Sequence, residues 1–216
     1  MSDPQAPADP GLPVLIGADY SVYTRICRLA LRLKGVPHAF EQLDVFGPGG
    51  ADKARAAGQP FGRIPVLRHG ALRLYETLAI TRYVDEAFDG PPLQPSSPPD
   101  RARMNQIVSI VDTGVYPAIV WGLHVPVSEG REPAAGSMAR AQTVLDALEA
   151  LAGAPWLMGP RPTLADCYLA GAMGYVLESP AAPAVTQSCP RLAAWWSHAE
   201  ARLPLTREGY GVHPER

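Results

Sequence analysis

Cysteine is scarce: Cys27, Cys167 and Cys189 are the only three in 216 residues. Their odd number and wide spacing argue against a disulfide framework, a Cys-x-x-Cys redox pair and a thiolate metal site, and fit a reducing cytoplasm. Excess charge is equally lacking. The 19 basic and 21 acidic residues leave a formal charge of −2, with 10 basic against 10 acidic before Gly90 and 9 against 11 after it. Nucleic acid is therefore not an expected partner, because phosphate neutralisation needs a basic excess. The longest uncharged run, Thr113–Ser128, contains Pro117, Pro126 and His124. It falls short of the roughly 20 apolar residues a bilayer requires, so no membrane span is expected. Met1–Pro10 is proline-rich and acidic, unlike a signal peptide, and reads as disordered. There is no Gly-x-Ser-x-Gly elbow, His-Glu-x-x-His or P-loop, and Gly47-Pro48-Gly49-Gly50 lacks the third glycine of a dinucleotide fingerprint. His124 has no partner at a ligand spacing, and no metal is expected.

What is present is an ordinary core-forming composition, 47% hydrophobic and 19% charged, which excludes disorder of the whole chain. Twenty-four prolines and 20 glycines punctuate it. The stretch Asp89–Pro99 cannot be helical and reads as a stiff connector. It divides the chain into a domain over 11–89 and a second over 100–216.

The first domain alternates. Leu12–Gly17 suits a buried strand. Ser21 stands at an N-cap position, and Val22, Ile26, Leu29, Ala30 and Leu33 recur at helical spacing, with Arg25, Arg28 and Arg32 opposite and Gly35 as a stop. His38–Val45 reads as a strand, Gly47–Gly50 as a loop before a short helix. Val66–Arg68 and Leu72–Leu74 form a hairpin, and Glu76–Phe88 a helix. The order is β-α-β-α-β-β-α. After the connector every segment reads as helix: Asp100–His124, kinked at Pro117, then Met138–Leu151, Leu164–Leu177 and Pro190–Leu203. Thr163-Leu164-Ala165-Asp166 follows the capping-box pattern, a stability element worth about 1 kcal/mol. The fold class is an α/β domain followed by an all-α domain.

Three stretches carry a family resemblance. Tyr20-Ser21-Val22-Tyr23-Thr24-Arg25 opens a helix directly after the first strand. Gln59-Pro60-Phe61-Gly62-Arg63-Ile64-Pro65 resembles an Asn-Pro-Phe-Gly-x-Val/Ile-Pro segment. Leu74-Tyr75-Glu76-Thr77-Leu78-Ala79-Ile80 is similar to a Glu-Ser-x-Ala-Ile helix start. In this order and spacing they resemble the cytosolic glutathione transferases, in particular phi-like and bacterial serine-type members, from about Leu12 to Leu203. The resemblance implies a thioredoxin-like first domain, glutathione as cosubstrate, a cytoplasmic homodimer and a role in detoxification.

The implied chemistry is physically reasonable. The nucleophile is the glutathione thiolate, and lowering a thiol pKa of about 8.5 by two units takes about 2.7 kcal/mol. A hydrogen bond to the charged sulfur supplies about 1.5–3 kcal/mol and a helix N-terminus about 0.3–2, so a hydroxyl at a helix start suffices. Ser21 matches the family's catalytic serine; Tyr20 and Tyr23 compete, since some classes use a tyrosine. Cys27 falls on the apolar side of the helix and reads as core. Pro65 matches a cis-proline that turns the backbone of Ile64 toward the tripeptide. Glu76 and Thr77 answer the γ-glutamyl ammonium and carboxylate; Lys53 and Arg63 are the cations available to the glycyl carboxylate. Thr77 for Ser and Gln59 for Asn depart from the family. The resemblance puts a small hydrophobic electrophile between the domains, with Tyr20, Tyr116, Trp121 and His124 as its lining. A glutathione-dependent isomerase or dehalogenase, or a non-catalytic binding module, would share most of these features.

Overall fold

The computed structural model describes residues 11–203, apart from the side chain of Thr186. The reading of Met1–Pro10 and the last part of the second domain, from residue 204 on, lie outside the described residues. Two compact units emerge, one ending at Gly90 and the other beginning at Pro91.

The first unit contains β1 (Val14–Gly17), α1 (Val22–Lys34), β2 (Ala39–Gln42), α2 (Gly50–Ala56), β3 (Val66–His69), β4 (Leu72–Leu74) and α3 (Thr77–Ala87). The sheet runs β2-β1-β3-β4, with β2 parallel to β1 and the other neighbours antiparallel. This is the mixed four-stranded sheet of a thioredoxin-like domain. α1 starts at Ser21 and stops at Gly35, whose φ of 74° is the left-handed conformation glycine adopts without penalty. Its buried side is wider than the helical spacing predicts: Leu31 and Arg25 are buried too, whereas Leu33 is only half-buried. Arg25, expected on the solvent face, instead donates from Nε to the Asp19 carbonyl at 2.7 Å. Arg28 lies over the Phe40 ring and pairs with Asp19. Cys27 is fully buried, and burial pushes its thiol pKa up, which suits a core residue.

In the second unit α4 (Pro98–Ile110) continues without a break into a π-helical segment (Val111–His124) and a last short turn, α5 (Val125–Ser128). The sequence predicts a kink at Pro117. The structure winds the segment around it as a π-helix, and the Val125 amide bonds to the Val120 carbonyl five residues back. Val111, Val115, Ile119 and Leu123, four residues apart, are all buried on the side that α6 (Ser137–Leu151) and α7 (Leu164–Leu177) cover. The 31-residue helical stretch Pro98–Ser128 contains an 18-residue window of mean hydropathy 1.3, so by length and composition alone it is apolar enough to cross a membrane. The uncharged run alone did not reveal this, because the helix continues upstream through Asp112 to the apolar Ile107, Val108, Ile110 and Val111. Its packing against α6 and α7 is that of a core helix.

Two further helices complete the unit, α8 (Ala182–Ser188), absent from the sequence reading, and α9 (Pro190–Glu200). α9 has no cap of its own. Both oxygens of Glu149, on α6, accept its first amides, Arg191 and Leu192, at 2.9 Å each.

Asp166 is the polar centre of this unit. It is fully buried and accepts from the Thr163 amide (2.7 Å), the Thr163 hydroxyl (3.0 Å), the Leu157 amide (2.9 Å) and the Trp195 indole (2.8 Å). Burial raises its carboxyl above the ordinary aspartate range, and the four donors work against that rise. The capping box is thus one corner of a network that ties α7 to the 152–157 loop and to α9. Asp166→Ala leaves several buried donors unpaired, each costing about 1–3 kcal/mol. The expected loss of stability is therefore about 3 kcal/mol or more, above the about 1 kcal/mol of a cap alone; urea unfolding followed by tryptophan fluorescence measures it.

Candidate active site

Strand direction decides what meets at one end of the sheet. Ser21 follows the C-terminal end of β1. β3 is antiparallel to β1, with Val66 opposite Ile16, so the residues that enter β3, Ile64 and Pro65, come to the same end. β4 is antiparallel to β3, with Leu74 opposite Leu67, and this returns Glu76 and Thr77 to that end again. Ser21, Ile64, Glu76 and Thr77 are thus brought together by topology alone.

Ser21 caps α1: its Oγ accepts the Thr24 amide at 3.3 Å. The side chain is half-buried, and among the described residues no acceptor is set for its hydroxyl hydrogen. Gly17 makes this approach possible. A Cβ there would stand 2.3 Å from Thr24 Oγ1, so only glycine lets the first turn of α1 lie against the end of β1. Tyr20, one residue before, differs in state. It is buried, donates from its hydroxyl to Asp44 Oδ1 at 2.5 Å, and accepts the Val45 amide at 3.2 Å. Burial first, and the Asp44 hydrogen bond second, raise its pKa well above the usual tyrosine value.

The Ile64–Pro65 peptide is cis. Ile64 is buried, and neither its amide nor its carbonyl bonds to another backbone group among the described residues. The segment before it is organised by Gln59, buried, whose Oε1 accepts the amides of Phe61 (2.6 Å) and Arg63 (3.3 Å). Glu76, exposed at the N-cap of α3, has φ 67° and ψ 119°; it is the only non-glycine residue with positive φ among those described. Thr77 is buried behind it and starts α3. Lys53, on α2, and Arg63 are exposed cations near these segments in sequence.

The aromatic candidates of the second unit separate. Tyr116 and Trp121 meet edge to face with ring centroids 6.4 Å apart, and Trp121 is 46% exposed. His124 is buried against the Tyr175 ring at 4.8 Å, with Nδ1 4.0 Å from Glu178. Asp44, Gln59 and Glu149 were not singled out for these contacts by the sequence, since each acts on amides whose position only the folded chain defines. No group of three or more His, Cys, Asp or Glu side chains able to hold a metal exists among the described residues.

Residues 15–92 match the glutathione S-transferase N-terminal domain, and residues 110–202 match the glutathione S-transferase C-terminal domain. The chain belongs to the glutathione S-transferase family. A relative from Oryza sativa subsp. japonica, named a probable glutathione S-transferase, is 29% identical over 93% of this chain and 88% of its own length. Another, from Drosophila melanogaster and named probable maleylacetoacetate isomerase 2, is 25% identical over 69% of this chain and 70% of its own. The crystal structure of glutathione transferase F7 from Populus trichocarpa superposes with a TM-score of 0.76 at 27% identity, covering 90% of this chain and 96% of that one.

In this glutathione S-transferase the backbone of Glu76 is the strained element of the site. A side chain held at such a φ costs on the order of 1–3 kcal/mol, and strain of this kind persists where surrounding structure enforces it. Glu76→Gly is therefore expected to raise stability by about 1 kcal/mol in chemical denaturation, once glycine's greater unfolded-state freedom is subtracted.

Proposed function

We propose that this protein is a glutathione transferase that holds the glutathione thiol as thiolate through Ser21 for attack on small hydrophobic electrophiles. The supporting observation is the state of Tyr20, Ser21 and Cys27 around the start of α1. Cys27 is sealed in the core, and Tyr20 has committed its proton to Asp44. Ser21 accepts from its helix and keeps its own hydrogen to donate. A donor of about 1.5–3 kcal/mol combined with the positive end of a 13-residue helix meets the about 2.7 kcal/mol that a two-unit shift requires. No general base is needed, because the thiol loses its proton to solvent before the electrophile is attacked.

The rest of the tripeptide is assigned by chemistry. The paired donor and acceptor of the Ile64 backbone, just before β3, suit the cysteinyl residue of an extended peptide, which would pair with them through its own amide and carbonyl. The Glu76 carboxylate answers the γ-glutamyl ammonium, while the Thr77 hydroxyl and the first amides of α3 answer its carboxylate. Lys53 and Arg63 are the cations for the glycyl end. For the electrophile we assign Tyr20, Tyr116, Trp121 and His124, of which the Tyr116–Trp121 pair offers the most open aromatic surface. On this reading 11–89 is the glutathione-binding domain, 100–216 the electrophile domain, and the protein a cytoplasmic homodimer acting in detoxification. The relative named a probable maleylacetoacetate isomerase supports a glutathione-dependent isomerisation as a second reading on the same thiolate.

Ser21→Ala is expected to lower kcat/KM for a chlorodinitrobenzene at least tenfold with glutathione binding retained, and to return the ultraviolet ionisation of the bound thiol toward its value in buffer. An unchanged rate removes Ser21 from this role. Loss of the cap also costs about 1 kcal/mol, so the assay is run well below the melting temperature.

A further inference from the structure

We propose that Tyr20 is a positioning residue: its hydroxyl, bonded to Asp44, clamps the turn presenting Ser21, the backbone edge at Ile64 and the loop Leu43–Gly49 into one frame around the reacting thiol. This rests on the thiolate role of Ser21. The geometry is that of a hub. The Ser21 amide donates to the Ala18 carbonyl at 3.0 Å, which makes Tyr20 an inner residue of the turn leading into α1. The Tyr20 ring is buried in one cluster with Ala18 and Ile64, and Leu43 and Val45 pack on that cluster. One side chain therefore touches both the segment that carries the hydroxyl and the segment that carries the unpaired backbone edge.

The far end of the same side chain fixes the loop. Tyr20 donates to Asp44 Oδ1 and accepts from the Val45 amide, while that Oδ1 also takes the Phe46 amide at 2.9 Å. The Phe46 ring stands 5.7 Å from the Tyr20 ring. The loop closes tightly: a Cβ on Gly50 would come within 2.1 Å of the Asp44 carbonyl. A phenylalanine would fill the same volume, so packing does not account for the hydroxyl. What the hydroxyl adds is a fixed distance between the α1 turn and the loop. Burial and Asp44 keep that proton in place across the pH range in which a thiol ionises, so the clamp does not change while the thiol does. Reaction rates respond steeply to such positioning, with about a hundredfold lost for a displacement of about 1 Å.

The test compares Tyr20→Phe, Asp44→Ala and Asp44→Asn with Ser21→Ala in the full-length protein, using glutathione and a chlorodinitrobenzene. Tyr20→Phe is expected to lower kcat/KM about tenfold and to move the ionisation limb of its pH profile to higher pH. The KM for glutathione should stay within about threefold, and deuterium uptake over residues 43–50 should rise. Asp44→Ala should reproduce all of this, and Asp44→Asn, whose amide oxygen still accepts, should restore the wild-type profile and uptake. A Tyr20→Phe protein that melts earlier but keeps the wild-type pH profile overturns the clamp, as does unchanged uptake over the loop. A silent Ser21→Ala overturns the thiolate reading beneath it, whereas a damaging Ser21→Ala with a Tyr20→Phe profile that superposes on wild type overturns the clamp alone.

Discussion

The hydrogen bond between Ser21 Oγ and the Thr24 amide is the constraint on which the site depends. A helix start leaves several amides without partners and concentrates partial positive charge there. Ser21 satisfies one of those amides and stays in the field of the others. The oxygen accepts through a lone pair and the hydrogen is left to donate, so capping and the proposed thiolate binding use different parts of one hydroxyl and do not compete. Gly17 and Thr24 set this up together: the missing side chain at the end of β1 is the space that the first turn of α1 occupies.

Around that point, topology does what side chains alone cannot. Three chain segments that are distant in sequence arrive at one end of the sheet because β3 opposes β1 and β4 opposes β3. Each segment brings a different kind of group: a hydroxyl, a backbone amide and carbonyl without backbone partners, and a helix start with a carboxylate. The second unit is stabilised on its own terms, by Asp166 linking α7, α9 and a loop, and by Glu149 capping α9. Both are single carboxylates serving amides of other elements, so each fixes the packing angle of helices as well as a helix end.

Much of this was legible in the sequence. Ser21 and Gly35 bracket α1 by local chemistry, and local chemistry is what a sequence displays. The order of elements in the first unit, and α7 behind Thr163, followed from the same signals. The misses have a common physical origin in long-range partners. Arg25 was read onto the solvent face because periodicity cannot show that the Asp19 carbonyl folds back over it. The wider winding around Pro117 was not read, because no local sequence signal announces it. α8, seven residues long, lacks a polar cap and leaves no local mark. In the site, Glu76 was found by motif, but nothing in its identity announces a positive φ. The partner of Tyr20 was not legible either, because the sequence does not show Asp44, 24 residues away, taking its proton.

That last point bears on how families of this kind can change their catalytic hydroxyl. Tyr20 and Ser21 are neighbours, and either could serve a thiol if only residue type mattered. Here the choice is made by what each hydroxyl already does. A tyrosine that donates to a carboxylate has no second hydrogen, and its oxygen is further occupied by the Val45 amide. Freeing it would unfasten the loop at Leu43–Gly49, so on the proposed roles a move of the thiol-binding function from Ser21 to Tyr20 cannot be made by one substitution. Thr77 and Gln59, the two departures from the family pattern, are tolerated for the opposite reason. Thr77 keeps its hydroxyl, and the longer Gln59 side chain keeps its carbonyl oxygen on the amides of Phe61 and Arg63. The site therefore accepts changes that preserve an atom's hydrogen bond and resists those that reassign one.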